Sequence, residues 1–200
     1  ATIALPEADQ MEDGEADFTG YKWLNRGNPL DAAPNGTTKA SHYLTAKIYS
    51  TENVQIIRDG VALEPLYDTL DEAITAAEAG DTLKLVAPSG EVSMTKNVTL
   101  GRNQTIDMNG RAITGNRTLT LDKGATLTFQ GAGEFRGSVV IGATFSKYGH
   151  LVLNGNVAFS EAVKAYGQKS TPSTVTVRAP MDAFALSVYK YTTVTMEAGA

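Results

Sequence analysis

The sequence predicts an all-β fold: a single-stranded parallel β-solenoid over residues 81–200, a short helix at 69–80 leading into it, and an irregular segment over 1–68. Three observations carry this. Short strand-like runs return at a period in the low twenties, branched apolar residues alternate with threonine inside each run, and Asn and Gly punctuate the runs where the chain must turn.

The period comes from two staggered series. One passes through Leu85, Ile106, Leu127, Leu151, Val175 and Val194, and the other through Val98, Leu119, Val140, Val163 and Val188. Two staggered series of similar step require at least two strands per coil. Helical repeats use longer units, and the Leu-x-x-Leu-x-Leu signature of leucine-rich repeats is missing. Within a coil, alternate side chains point inward and stack on the coil before, which favours Val, Ile and Leu inside. Outward positions carry threonine, as in Thr126/Thr128, Thr174/Thr176 and Thr193/Thr195. Corners fall at Asn109-Gly110, Asn116, Lys123-Gly124, Gly131, Gly133 and Asn154-Gly155, where positive φ is easily reached. The preference of parallel crossovers for the right hand carries part of the expectation of a right-handed solenoid, and the resemblance given below carries the rest.

Upstream, Thr69 is a helix N-cap with Glu72 three residues later, apolar Leu70, Ala73, Ile74 and Ala77 follow, and Gly80 terminates the run. A solenoid must cover the interior of its first coil, and this helix is the expected cap. Before it, short strands are expected over 43–49, 54–57 and 61–63, with Arg58-Asp59-Gly60 as a turn. Residues 25–38 read as loop, the aromatics Phe18, Tyr21 and Trp23 dock this segment, and the acidic run from Glu7 to Asp17 reads as a solvated lead-in.

Composition narrows function. No cysteine means no disulfide framework, no thiol nucleophile and no Cys-based metal site. A net charge of -5 and a pI near 5.1 argue against a nucleic-acid partner. No run approaches the roughly 20 apolar residues that span a bilayer. The chain begins at Ala1 without a signal region, so a processed or excised form is expected. The final YTTVTMEAGA stops in mid-pattern, so an open β-edge is expected to continue into further coils or pair with another copy.

The segments TLDEAITAAEAGDTLKLV (69–86), TIDMNGRAITG (105–115) and LTLDKGATLTFQGAGEF (119–135) resemble pectin-lyase-like right-handed β-helix regions of Gram-positive bacterial cell-surface proteins. The resemblance implies an extracellular or cell-surface location. Its members include adhesins, multidomain surface proteins and carbohydrate-active enzymes, so it specifies a scaffold and no reaction.

Chemistry must therefore stand on residues. A polysaccharide lyase or hydrolase needs carboxylates that converge on one face. The candidates are Asp107, Asp122, Glu134 and Asp182, with Arg102, Arg111, Lys123 and Arg136 as cations, and the spacing yields no convergent pair. His42 and His150 are isolated, so no metal or cofactor site is assigned. The Asn-x-Thr triplets at Asn35, Asn97, Asn103 and Asn116 are expected by chance in an Asn- and Thr-rich solenoid. Outward Thr-x-Thr pairs suggest ice binding, against which coils of about 19 to 25 residues count. No catalytic residue is assigned. The expectation is a non-enzymatic adhesin, binding or scaffold module of a secreted protein, with a host protein or glycan as partner and Tyr148, Tyr166, Tyr189 and Tyr191 as ligand-contact aromatics. The alternatives are a filament or stalk subunit joined through open solenoid ends, and a carbohydrate-active enzyme.

Overall fold

A computed structural model describes residues 21–25, 28–30, 49–50, 52–142, 147–180 and 185–197. The chain divides into two units, residues 1–51 and 52–200. In the first, β1 (Tyr21–Asn25) pairs antiparallel with both β2 (Asn28–Leu30) and β3 (Tyr49–Ser50). The acidic run, Phe18, Asn35 and His42 lie outside the described residues, as does Asp182 farther on.

The second unit opens with β4 (Val54–Arg58) and β5 (Val61–Ala62), an antiparallel hairpin. Asp59 (φ 50°) and Gly60 (φ 80°) turn it with two consecutive positive φ values, the geometry of a two-residue hairpin loop. Helix α1 (Leu70–Ala76) follows, and its capping box forms as the sequence predicts. The Glu72 N–H donates to the Thr69 hydroxyl at 3.3 Å, and the Thr69 N–H donates to the Glu72 carboxylate at 3.2 Å. Leu70, Ala73, Ile74 and Ala77 are buried in the same core cluster as the coils.

The coils then run for about five turns. The first holds β6 (Thr82–Leu85), β7 (Glu91–Ser93) and β8 (Val98–Leu100). The second holds β9 (Gln104–Asp107) and β10 (Ala112–Leu121), and the third β11 (Ala125–Gln130) and β12 (Gly133–Ile141). The fourth holds β13 (Gly149–Asn154), β14 (Val157–Phe159) and β15 (Val163–Ala165). Then come β16 (Ser173–Val177), β17 (Leu186–Val188) and β18 (Thr192–Met196).

Stacking gives three faces. The first is the ladder β6-β9-β11-β13-β16-β18, all parallel, with β4 added antiparallel at its start. The second stacks β7, the front of β10, the front of β12, and β14. The third stacks β8, the back of β10, the back of β12, β15 and β17. A bulge divides β10: Ile113 lies opposite Phe135, yet Arg117 lies opposite Gly137. Gly115 sits in this bulge at φ +110°, and a Cβ there would strike the Met94 carbonyl oxygen. Only glycine fits.

The register departs from the two series read in the sequence. On the first face Leu127, Leu151, Val175 and Val194 do align, but Ile106 pairs with Leu83 and Phe129 rather than with Leu85 and Leu127. On the third face Leu119 lies opposite Val139, so Val139 is fully buried and Val140 faces outward. Val188 stacks on Ala165, not on Val163.

Inside, Phe129 from the first face meets Phe135 and Phe159 from the second. The ring centroids are 5.8 and 5.6 Å apart in edge-to-face contacts, with Phe135 and Phe159 at 6.1 Å. Two buried carboxylates pin the entry of the solenoid. Asp81 accepts hydrogen bonds from Nε and Nη2 of Arg58, each at 2.9 Å, and from the Glu78 N–H at 2.6 Å, tying the hairpin to the first coil. Asp71 of α1 accepts the Thr95 N–H at 2.7 Å and the Thr95 hydroxyl at 3.0 Å.

Candidate functional site

Where the chain leaves the third face and turns toward the first, two tyrosines occupy equivalent places on successive coils. The Tyr166 N–H donates to the Ile141 carbonyl at 2.8 Å, and the Tyr189 N–H donates to the Ala165 carbonyl at 2.9 Å. Each strand therefore delivers its tyrosine to one corner of the prism. The rings stack nearly parallel, 4.1 Å apart at 12°. A hydrogen bond with Tyr189, aided by partial burial, pushes the Tyr166 phenol above the ordinary tyrosine value. Tyr189 and Tyr191 are about half exposed, at 48% and 52%.

Tyr191 sits at φ 59°, and its carbonyl accepts the Ser173 N–H at 3.2 Å. Below it, Gln168 and Thr171 exchange backbone hydrogen bonds at 3.1 and 3.2 Å, which folds Gln168–Thr171 into a tight loop. The Gly167 N–H ties that loop to the Lys190 carbonyl at 3.1 Å. Loop and strand together enclose an open depression of about 670 Å³ lined by Gly167, Gln168, Lys169, Ser170, Lys190 and Tyr191. The structure thus brings Tyr166 and Tyr189 together and sets Tyr191 on the adjoining turn. Tyr148 stands apart, over Gly124 and edge-on to His150 at 6.0 Å. The sequence reading missed Lys169, Lys190 and Gln168. Their only signal is a polar loop immediately after one tyrosine and a lysine between two others.

A second, shallower groove of about 360 Å³ lies along the second face. Glu91 and Glu134 lie two strands apart across Ala112, a separation of roughly 9–10 Å from strand spacing. Arg136 bridges them, 3.0 Å from Glu91 and 2.8 Å from Glu134. That guanidinium holds the Glu134 carboxyl below its usual range. Glu134 is therefore held ionised and is no proton donor at neutral pH. Arg111 is spent on the Ala87 and Asn109 carbonyls. The trio clamps three turns together.

The remaining candidates serve turns and coil contacts. Asp107 accepts the Asn109 N–H at 3.1 Å, closing an Asx turn. Asp122 accepts the Lys123 N–H at 2.7 Å and pairs with Lys147 at 3.2 Å. Arg102 donates to the Ile74 and Thr75 carbonyls near the end of α1. Asn97 and Asn103, read as chance glycan acceptors, accept the N–H groups of Thr118 and Thr126 one coil on, at 2.9 and 2.8 Å. Asn116 supplies positive φ, 53°, in the β10 bulge. His150 bonds the Thr174 hydroxyl through Nδ1 at 2.9 Å, and burial lowers its pKa. Among the described residues, no group of three or more His, Asp or Glu is placed to hold a metal ion.

On the outside of the first face, threonines align as Thr82, Thr105, Thr128, Thr176 and Thr195 in one column, with Val152 interrupting. Thr126, Thr174 and Thr193 form a second, with His150 interrupting. Unequal coil lengths are absorbed at corners, so the array keeps register. The two interruptions fall at its middle and break the continuous hydroxyl surface that ordering water requires.

No helix among the described residues is long and apolar enough to cross a membrane. No protein-family model, curated protein or solved structure matches this chain.

Proposed function

We propose that this chain is a non-enzymatic binding module of a secreted bacterial surface protein, an adhesin-type coil stack that takes glycan at the tyrosine corner. One observation carries the reading: Tyr166, Tyr189 and Tyr191 gather at a single corner beside an open depression, with two of the rings half exposed. Tyrosine presents a rigid apolar face and a polar tip, which suits stacking against the C–H face of a pyranose. The pectin-lyase-like resemblance, the right hand and the role of α1 as cap belong to the same proposal. In support, α1 packs its apolar side against the core beside β4 and β6.

The test is binding of the intact chain to a printed panel of glycans, beside Tyr189→Ala and Tyr191→Ala variants. Glycans retained by the parent and lost by both variants support the reading. Retention unchanged in both removes the tyrosine corner from it.

A second reading, self-assembly into a filament or stalk, is favoured by a different observation. Val188, Val194 and Met196 are exposed at 48%, 39% and 63%, and β17 and β18 are terminal strands of their sheets among the described residues. Light scattering that grows with concentration, abolished by Val194→Lys, supports assembly through this edge. A monomer at all concentrations removes it. The carbohydrate-active enzyme draws little support, because the carboxylates of the second-face groove are engaged by Arg136.

A further inference from the structure

The net charge of -5 conceals a division within the chain. Residues 1–83 hold 5 basic and 15 acidic side chains, whereas residues 84–200 hold 12 basic and 7 acidic ones. The coils are therefore net positive, by +5, and the charge argument against anionic partners does not apply to their surface.

Ion pairing sharpens the imbalance. Of the carboxylates in the coils, Glu91 and Glu134 are held by Arg136, Asp122 by Lys147 and Glu197 by Arg178. Lys123, Lys164, Lys169 and Lys190 make no ion pair among the described residues. Two of these four, Lys169 and Lys190, line the depression at the tyrosine corner, and among the described residues no carboxylate lines it. Ser170 adds a hydroxyl. The Gln168 amide nitrogen lies buried in the depression's wall with no hydrogen-bond partner, an unmet donor that favours an incoming acceptor.

We infer that this depression binds a sugar carrying a tetrahedral oxyanion, an O-sulfated or O-phosphorylated glycan residue, with Lys169 and Lys190 on the anion and Tyr191 against the ring. The donor set discriminates among anions. A planar carboxylate is best matched by the fork of a guanidinium, and among the described residues no arginine lines the depression. Two ammonium groups, a hydroxyl and an amide are independent donors, suited to an anion whose three free oxygens point in different directions. Because the Gln168 nitrogen is covered, its use requires the Gln168–Thr171 loop to shift as the anion enters. The inference rests on the glycan reading above and specifies its ligand.

The test uses the intact chain and a panel of neutral glycans printed beside their O-sulfated and O-phosphorylated counterparts, with Lys169→Ala/Lys190→Ala and Tyr191→Ala variants whose folding is checked by circular dichroism. The expected result is that esters are retained roughly tenfold or more tightly than their neutral parents, consistent with charge-assisted hydrogen bonds. The double lysine variant loses that margin between ester and neutral forms, and added salt erodes it. The tighter of the two ester series identifies the source of the anion. Equal binding of neutral and ester forms, or a margin that survives the double variant, overturns the oxyanion site and leaves the glycan reading standing. Retention of no glycan of any kind overturns both.

Discussion

Replacing Phe135 by alanine tests whether the solenoid interior is a packed core. Phe135 is fully buried, edge-to-face with Phe129 at 5.8 Å and tilted against Phe159 at 6.1 Å. Truncation removes the ring's transfer energy and leaves a void bounded by two other rings, neither of which can collapse into it without losing its own contact. Large-to-small changes at such sites cost about 3–5 kcal/mol, and the lost aromatic contacts place this one near the middle, at about 4 kcal/mol. For a chain of this size that corresponds to a melting temperature lower by roughly 8–16 °C. Urea unfolding followed by circular dichroism reads the loss, with the slope unchanged if the transition remains two-state. Phe135→Leu, which refills part of the space, loses less. An outward control, Thr176→Ala, stays within about 0.5 kcal/mol of the parent. A Phe135→Ala loss below about 1 kcal/mol refutes the reasoning, because no fully buried phenylalanine in a close-packed interior is that cheap to remove.

Three further outcomes follow from the polar contacts and the last corner. The Arg58 guanidinium holds the Asp81 carboxyl below its ordinary value, so Asp81 contributes stability that is complete above the unfolded value of about 3.9 and is lost as pH falls through the lower folded value. Unfolding free energy measured from pH 5 downward declines in the parent and declines less steeply in Asp81→Asn. Burial disfavours the charged form of His150, so the unfolded chain binds its proton first. Stability therefore falls as pH drops below about 6.5, and His150→Gln removes that slope, as denaturant titrations between pH 7 and 5 will show. Gly167 lies so close to the Tyr191 carbonyl that a methyl group there must push the two turns apart. Gly167→Ala accordingly weakens ligand retention and speeds amide exchange around Gly167 and Tyr191, while protection in β9 and β11 stays at the parent level.

How far the fold was legible depended on how local its signal was. The capping box at Thr69 and Glu72, the turn at Asp59-Gly60 and the positive-φ residues Asn109, Asn116 and Lys123 each depend on a few neighbouring residues, and each is where the sequence placed it. The period was legible because every coil repeats it. Register was not. In Ser138-Val139-Val140-Ile141 three successive β-branched residues satisfy either alternation, and the bulge between Ile113 and Arg117 shifts the third face against the second by an amount no period reveals. The second face itself escaped notice, since β7 and β14 are three residues long and leave only Val92, or Val157 and Phe159, as buried markers. Glu91 was passed over for the same reason: its partner Arg136 is two coils away, and only the correct register, which lines Glu91 up with Glu134 through Ala112, brings that arginine within reach.

That separation between what the interior reads and what the corners carry bears on how such a molecule acquires a ligand. Inward positions are constrained by their neighbours in the coils before and after, so a change at Leu151 must suit both Leu127 and Val175. Corner side chains that point outward, such as Tyr166 and Tyr189, do not have to fit the packed interior, although a corner glycine such as Gly167 is held by the turn beside it. Gly142, Tyr166 and Tyr189 follow Ile141, Ala165 and Val188, which stack on one another, so one corner carries a glycine on one coil and a tyrosine on each of the next two. Coil length varies there too: the step from Val175 to Val194 is shorter than that from Leu151 to Val175, and strand pairing on the first face is undisturbed. A corner can therefore gain a loop such as Gln168–Thr171, or a tyrosine stacked on the tyrosine of the coil below, without disturbing the core. Double-mutant cycles will express this as near-additivity between Tyr189→Ala and Phe135→Ala, and as coupling between Tyr189→Ala and Tyr166→Ala, whose rings touch. Strong coupling between corner and core would mean that the tyrosines hold the coils together, and the corner would then have to be read as structure before it is read as a site.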